Sequence, residues 1–223
     1  NSWVESNKGT QFRGRTRFLN ENLRMPVNIV EQVNKFSRIF LQNQNYNIES
    51  QKITSMDKQQ LRLTKITDVL LIWRNISSFD EASEKIFLAF SWLTKKKVTH
   101  PQDIIILVPT HKEGIKLLDM FNKKLKVNIN HVFDINNDGN KTNKKSFWMG
   151  DSRLKISTIH SFKGWELNNV IVITPSKEEN LSELDNLIYT SITRTRQRMI
   201  ILNRLEKYNE YGLGWKKFEK SNL

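Results

Sequence analysis

The 223-residue sequence contains no cysteine, so disulfide bridges and thiolate metal sites are excluded. Its four histidines, His100, His111, His131 and His160, are spread along the chain and form no metal-binding motif. No apolar run approaches the roughly 18 residues that span a bilayer as a helix. A GxxxxGK[ST] phosphate-binding loop is also missing. The sequence therefore predicts no metal site, no membrane-spanning helix and no self-contained P-loop nucleotide site.

Negative charge is also scarce relative to positive charge. The chain has 36 Lys and Arg against 23 Asp and Glu, which gives a net charge of +13. Such a surface attracts polyanions, and nucleic acid is the usual partner of a basic domain. The alternative is that Lys merely replaces other surface residues in a chain rich in Asn, Lys and Ile. Charge alone does not decide between the two interpretations.

Hydrophobic periodicity predicts strands and helices in alternation over the first two thirds of the chain. The predicted helices are a segment from Pro26 to about Gln42, then Asp80–Lys97 and Glu113–Leu125; the predicted strands are Ile66–Trp73, Asp103–Pro109 and Asn130–Phe133. The hydrophilic stretches near 43–62 and 135–151 are expected to be loop insertions. The pattern predicts an α/β fold with a mostly parallel sheet and helices on both faces.

The last third of the chain combines this pattern with phosphate-binding side chains. Strands are predicted at Leu154–Thr158, Val170–Thr174 and Met199–Leu202, with a helix at Leu181–Thr193. The first loop offers Lys163 and Gly164, and the helix ends next to Arg194, Arg196 and Arg198. Because α/β sheets bind ligands in the loops after their strands, this stretch is the expected functional region.

These residues carry a family resemblance. TIHSFKGWELNNVIV resembles motif V of the UvrD/Rep-like superfamily 1 helicases, and LIYTSITRTRQRMIIL resembles their motif VI. RGRTRFLNENLRMPVNIVEQVNKF resembles the motif IV region. The three motifs occur in the family's order. The resemblance implies the second of the family's two RecA-like motor domains, which has a P-loop NTPase-type fold but no Walker A motif of its own.

The resemblance also implies roles in an ATP site shared with a first motor domain, which is missing from this sequence. Arg24 and Arg194 correspond to the arginine fingers, Gly164 approaches the phosphates, and Glu166 accepts from the ribose. Arg suits the finger role because its planar fork stays charged and can bind two phosphate oxygens. Without the motifs, Arg24 and Arg194 would be interpreted as cations at helix ends. ATP and Mg²⁺ are the implied cofactors, held mainly by the first domain, so the chain alone is expected to be inactive.

A second set of positions implies contacts to a single strand, DNA rather than RNA. These are Thr158, His160 and Lys163 in motif V, with Thr110 and His111 after the strand IIILV. Their contacts are expected to be mainly to phosphates, because a motor must move along any sequence.

Two residues depart from the family pattern. Leu23 stands where the family usually has an aromatic residue beside the adenine, so base selectivity is left open. Trp165 replaces the usual aliphatic residue after the motif V glycine, and core packing is favoured over base stacking for its ring. Trp148, in the basic loop, could stack on a base or anchor the loop.

The expected organisation is a connector over residues 1–18, a second RecA-like domain over 19–205, and a charged tail over 206–223, in which a helix could extend to Tyr211. The leading functional hypothesis is the C-terminal motor domain of an ATP-dependent DNA helicase or translocase, with a cytoplasmic location. A non-catalytic nucleic-acid-binding module derived from such a domain is the alternative. A nuclease has little support, because Asp134, Asp138 and Asp151 lack a matching Glu-x-Lys pattern.

Overall fold

A computed structural model describes residues 27–41, 70–96, 99–125, 127–133, 145–177 and 181–215. Several predictions concern residues outside these ranges. They are the predicted finger Arg24, the neighbouring Leu23, the connector over 1–18, the insertion near 43–62, residues 135–144 of the second insertion and residues 216–223.

Six strands form one sheet in the described part of the chain. They are β1 (Leu70–Asn75), β2 (Ile104–Val108), β3 (Ile129–His131), β4 (Leu154–Thr158), β5 (Leu167–Ile173) and β6 (Thr195–Asn203). Their order across the sheet is β1-β6-β5-β2-β4-β3, and every neighbouring pair is parallel. The predicted parallel α/β architecture is confirmed.

The helices are α1 (Val27–Phe40), α2 (Phe79–Lys96), α3 (His111–Lys124), α4 (Leu181–Thr193) and α5 (Asn209–Leu213). The crossovers through α2 and α3 run along the sheet in one direction, and the crossover through α4 runs in the other. Because such crossovers are right-handed, the two sets lie on opposite faces. On the first face, helices α2 and α3 are in contact, because Phe87 of α2 stacks on Phe121 of α3 with 4.4 Å between ring centroids. Helix α1 packs against α4 on the other face.

The central strands carry the core. All five residues of β2 and all five of β4 are buried, as expected for parallel strands covered on both faces. The pattern Leu-Lys-Ile-Ser-Thr of β4 therefore places Lys155 inside the protein. Its ammonium donates to the carbonyl oxygens of Gln102 at 2.7 Å and Asp151 at 2.8 Å, which satisfies the charge locally. Burial lowers the pKa of Lys155.

The segment after β6 also belongs to the core. The charged tail was expected to begin at residue 206, but the 3₁₀ turn Glu206–Tyr208 and helix α5 fold back onto β1. Their aromatic side chains join those of α1 and β1 in one cluster, formed by Phe36, Phe40, Trp73, Tyr208, Tyr211 and Trp215. The Tyr211 hydroxyl donates to the Gln32 carbonyl at 2.9 Å, and burial raises the pKa of this tyrosine.

None of the helices in the described ranges is both long enough and apolar enough to cross a bilayer.

Candidate functional site

The sequence-predicted site residues are divided between two opposite edges of the sheet. Thr110 and His160 follow the carboxyl ends of β2 and β4, whereas Glu166 and Arg194 immediately precede β5 and β6. All strands run in the same direction, so these positions mark opposite edges. The seven residues of β5 separate the edges by roughly 20 Å at about 3.3 Å per residue.

The β4–β5 loop has a fixed internal geometry. The Thr158 hydroxyl accepts from the backbone N–H of Ser161 at 3.1 Å and closes the 3₁₀ turn His160–Phe162. The Phe162 side chain is buried and anchors the turn. Gly164 then adopts φ +96°, a left-handed conformation that favours glycine. The loop is therefore built to reverse at Gly164 and to deliver Glu166 to the start of β5.

Glu166, Arg194 and Arg196 form a cluster at the amino-terminal edge of the sheet, here called the Glu166 cluster. Arg194 donates from Nη1 to Oε1 of Glu166 at 3.2 Å. Arg196 donates to Oε2 from Nε at 3.1 Å and from Nη2 at 2.8 Å. The carboxylate is 14% exposed, whereas the guanidinium side chains of Arg194 and Arg196 are 32% and 53% exposed. One acid thus holds two arginines at the surface.

The backbone supports this cluster from behind. Leu167 pairs with Thr195 in the β5–β6 ladder, and the Leu167 N–H donates to the Arg194 carbonyl at 3.3 Å. The Nε atom of Arg194 is buried and has no hydrogen-bond partner among the described residues. Deeper in the sheet, Arg198 donates to Asn169 Oδ1 at 2.8 Å and is buried. Arg198 is therefore part of the fold, and Arg194 and Arg196 are the surface cations.

A groove of about 330 Å³ opens at the carboxyl edge, here called the strand-end groove. Its lining is Pro109, Thr110, Glu113, Ile159, His160, Pro175, Ser176, Lys177, Glu183, Leu184 and Leu187. His160 Nε2 lies 3.4 Å from Glu183 Oε1 across the groove. Lys177 follows β5 and is exposed. The groove combines apolar walls with several hydrogen-bonding groups and one lysine.

A partly buried ion pair fixes one side of the strand-end groove. Arg204 donates from Nη1 to Glu113 Oε1 at 2.7 Å and from Nη2 to Oε2 at 3.2 Å. Its Nε also donates to the Thr174 carbonyl at 2.8 Å. Thr110 caps helix α3 by accepting from the Glu113 N–H at 3.2 Å. Glu113 is thus neutralised by the protein, and the Thr110 hydroxyl serves the helix.

A family model of the UvrD-like helicase C-terminal domain matches residues 154–202, from the first residue of β4 to the penultimate residue of β6. The resemblance to UvrD-like helicases is thereby confirmed over this segment. The segment, called the UvrD-like segment below, contains motifs V and VI and all three residues of the Glu166 cluster.

The fold over 82% of this chain is similar to that of a solved helicase-type domain. The crystal structure of the C-terminal domain of a "possible DNA helicase" from Lactobacillus plantarum WCFS1 aligns with a TM-score of 0.51 at 10% identity, over 82% of this chain and 88% of that chain. The UvsW helicase from bacteriophage T4 aligns with a TM-score of 0.42 at 12% identity, over 87% and 79% of the two chains. No curated protein matches the sequence. The RecA-like fold expected from the motifs is confirmed.

Within the UvrD-like segment, the structure brings some predicted residues together and separates others. Glu166 and Arg194 are in direct contact, and Gly164 lies on the same loop. His160 shares the strand-end groove with Thr110. Thr158 is buried, with its hydroxyl used inside the loop, and Lys163 is exposed between the two edges.

His111 is the first residue of α3, and its ring packs edge-on against Phe133, with 5.4 Å between ring centroids. The Trp165 ring is half-buried against the core, whereas the Trp148 side chain is 61% exposed.

Sequence reasoning named Arg196 among the phosphate-binding side chains but gave it no role of its own, and it did not single out Lys177 or Glu183. Arg196 lies two residues after Arg194, so strand alternation about the buried Thr195 could have indicated a shared face. Lys177 follows the carboxyl end of β5, where ligand-binding loops are expected. Glu183 carried no signal, because its contact with His160 depends on the tertiary structure.

The ion pair between Arg153 and Asp151, which lies just before the UvrD-like segment, can be compared with the Glu166 cluster. Arg153 donates to Asp151 from Nε at 2.8 Å and from Nη2 at 2.6 Å. The hydrogen bonds from Arg153 lower the pKa of Asp151 to about 2. This pair is one acid with one arginine and carries no excess charge.

Proposed function

We propose that this chain is the C-terminal motor domain of an ATP-dependent DNA helicase or translocase. The observation that carries the proposal is the Glu166 cluster, which lies inside the UvrD-like segment and presents arginines at one edge of a RecA-like sheet. In this proposal Arg194 is the arginine finger of an ATP site shared with an N-terminal RecA-like domain. Arg24, the second proposed finger, is assigned from its motif alone.

The described residues suit the phosphate end of a nucleotide. Arg194 has a buried Nε atom without a partner in the described part of the chain, as well as an exposed guanidinium edge. A Cβ atom at Gly164 would meet nothing within 4 Å, so the backbone there is open to close approach by an anion. ATP, when bound, supplies the phosphoanhydride bond whose hydrolysis drives movement. Arg194 would stabilise the negative charge that develops on the γ-phosphate.

The remaining parts of the ATP site are assigned to the other domain. The described residues contain no group of three or more His, Asp or Glu side chains placed to hold a metal ion. In this proposal the family resemblance assigns Mg²⁺ and the phosphate cradle to the N-terminal motor domain. Glu166 would accept from the ribose, as the family motif implies.

A single DNA strand is proposed to cross the opposite edge, over the strand-end groove. Thr110 and His160 line this groove together with Lys177, which supplies an exposed cation for a phosphate. Lys163 on the β4–β5 loop and His111, the first residue of α3, are assigned strand contacts from the family resemblance. The roughly 20 Å between the two edges separates the proposed nucleotide and strand sites, so both could be occupied at once.

The test is ATP hydrolysis by the full-length natural protein, with and without single-stranded DNA, for the wild type and the variant Arg194→Ala. Loss of an arginine finger typically costs about 10³ to 10⁵ in rate. We expect hydrolysis stimulated by the strand in the wild type and a loss of that order in the variant. Arg153→Ala removes an exposed arginine to which the motifs assign no role, and it should stay within about twofold of wild type.

Two results would overturn the proposal. One is a well-folded wild type that hydrolyses no ATP with either DNA or RNA. The other is an Arg194→Ala variant as active as Arg153→Ala. Strand binding without turnover would favour the non-catalytic nucleic-acid-binding module.

A further inference from the structure

The Glu166 cluster contains one arginine that no family motif assigns. Arg196 makes two of the three hydrogen bonds that join Arg194 and Arg196 to the Glu166 carboxylate, and it is the more exposed of the two arginines. Thr195 between them is fully buried, and its hydroxyl bonds to the Ser191 carbonyl at 3.1 Å. Since side chains alternate along a strand, Arg194 and Arg196 project to the same side, away from Thr195.

The charges of the cluster do not cancel. Two guanidinium groups share a single carboxylate, which leaves one positive charge in excess. Arg198 follows a register shift in the β5–β6 ladder, is buried against Asn169 and Thr99, and does not add to the surface charge. The excess positive charge therefore lies on Arg194 and Arg196, at the solvent-facing end of the cluster.

The Glu166 carboxylate occupies the position that a phosphate group would take between two arginines. A guanidinium fork binds carboxylate and phosphate oxygens with similar geometry. Oε1 of Glu166 meets Arg194 and Oε2 meets Arg196, so the two oxygens bridge the pair. A polyphosphate has more charge and more acceptor oxygens than one carboxylate, and it can replace Glu166 in this bridge.

We infer that Arg196 is a second polyphosphate-binding residue beside Arg194, and that Glu166 is the counter-ion which an incoming polyphosphate displaces. The inference rests on the proposed function, because it places the phosphates of the shared ATP site at this edge. The inference adds Arg196 to the proposed ATP site. It also adds an exchange of partners, in which both arginines leave Glu166 and bind the phosphates, so that Glu166 becomes free to accept from the ribose.

The Asp151–Arg153 pair supplies matched controls. It is an exposed arginine with one carboxylate, bonded through the same donor atoms, Nε and Nη2, that Arg196 uses. Arg153→Ala thus removes the same charge as Arg196→Ala, and Asp151→Asn removes the same charge as Glu166→Gln. A difference in tripolyphosphate affinity between two matched variants therefore reflects binding at the Glu166 cluster and not the net charge of +13, because each pair of variants changes that charge equally.

The experiment is calorimetric titration of the 223-residue chain with inorganic tripolyphosphate at fixed ionic strength, with circular dichroism to confirm folding. Losing a charge-assisted pair of hydrogen bonds should weaken binding about tenfold in Arg196→Ala, against less than about twofold in Arg153→Ala. Glu166→Gln should tighten binding by about threefold or more, and Asp151→Asn should leave it unchanged. Arg196→Lys should recover part of the loss, because the charge returns without the fork.

Equal effects of Arg196→Ala and Arg153→Ala would overturn the inference, and so would weaker tripolyphosphate binding in Glu166→Gln. The second result would mean that Glu166 orients the arginines and does not compete with the phosphate. Hydrolysis by the full-length protein separates this failure from that of the proposed function. If Arg194→Ala abolishes turnover while Arg196→Ala matches Arg153→Ala, only the present inference is lost. If Arg194→Ala has no effect, the proposed function itself fails.

Discussion

At the scale of single residues, glycine is required at position 164 because of its backbone conformation and not because a larger side chain would clash. Its φ is +96°, although a Cβ atom would meet nothing within 4 Å. We expect Gly164→Ala to lower the free energy of unfolding by about 1–2 kcal/mol, because an L-residue is strained in that conformation. Urea denaturation followed by circular dichroism measures this change.

Gly214→Ala is the control for that substitution. Gly214 has φ −65°, which alanine adopts without strain, and the nearest atom to its Cβ position is the end of the flexible Lys35 side chain. The change should stay within about 1 kcal/mol of the wild type. A Gly164→Ala variant as stable as the control would show that the loop can adopt another conformation without cost.

The sequence predicted which residues belong to the candidate site better than it predicted which of them bond to each other. The motifs singled out both Glu166 and Arg194, but they assigned Glu166 to a ribose and gave no sign that the two residues bond to each other. Their contact depends on the pairing of Leu167 with Thr195, which joins segments 28 residues apart. Such a pairing is set by the sheet as a whole and cannot be read from local spacing.

At the scale of elements, β4 shows that alternation can predict a strand while the burial of that strand depends on its neighbours. The alternation in Leu154–Thr158 predicted the strand with its observed limits, yet alternation usually indicates that one face meets water. All five residues are buried because β2 and β3 flank the strand and helices cover the sheet. Lys155 is tolerated there because backbone carbonyls of two nearby segments accept from its ammonium. Long-range acceptors of this kind leave no signal in the sequence.

In the carboxyl-terminal segment the sequence allowed a helix as far as Tyr211, but it did not predict that this segment is buried. Residues 205–215 contain one lysine and two glutamates among the aromatic residues, so the composition resembles a solvated tail. The buried positions are Leu205, Tyr208, Tyr211 and Trp215, at spacings of three to four residues, which match one face of a helix. The periodicity was present, but it is short and its partners, α1 and β1, lie at the other end of the chain.

Trp215 tests whether this element stabilises the domain. Its side chain is fully buried, and its ring packs edge-on against Trp73 with 5.3 Å between centroids. We expect Trp215→Ala to lower the free energy of unfolding by about 3–5 kcal/mol, because removal of a buried indole leaves a large cavity. Urea denaturation of the 223-residue chain measures the loss.

Trp148→Ala is the matched control for the loss of an indole. Its side chain is 61% exposed, so the change should cost less than about 1 kcal/mol. Similar losses for the two variants would contradict the assignment of 206–215 to the core. A small loss for Trp215→Ala alone would mean that the aromatic cluster can repack around the missing ring.

At the scale of the whole molecule, the proposed nucleotide site and the proposed strand site lie at opposite edges of the sheet. The fold class, the parallel sheet and the region of the motifs could be predicted from periodicity and resemblance, because each depends on local sequence. The distribution of Glu166 and Arg194 to one edge and of Thr110 and His160 to the other follows from strand order and direction. Strand order is decided by contacts between distant segments, which explains why the sequence alone grouped these residues by motif and not by edge.

The net charge of +13 is a property of the whole molecule, and it leads to a prediction about the binding of single-stranded DNA. A basic surface alone would bind single-stranded DNA diffusely, whereas the strand-end groove offers Lys177 as a localised contact. Each phosphate neutralised on a single strand contributes about 0.7 to the slope of log affinity against log salt. With roughly four to five contacts, the wild type should show a slope of about 3, measured by fluorescence anisotropy with a labelled oligonucleotide.

Substitution of single lysines separates a localised contact from diffuse attraction. Lys177→Ala should weaken binding and reduce the slope by about 0.7, because it removes one phosphate contact. Lys123→Ala removes the same charge at the far end of α3, toward the opposite edge of the sheet, and should leave the slope unchanged. If both variants lower affinity equally, the strand follows the overall charge and the groove has no special part in binding. If Lys177→Ala alone changes the slope, the carboxyl edge carries the strand, and the amino-terminal edge with its arginines is left open to the nucleotide.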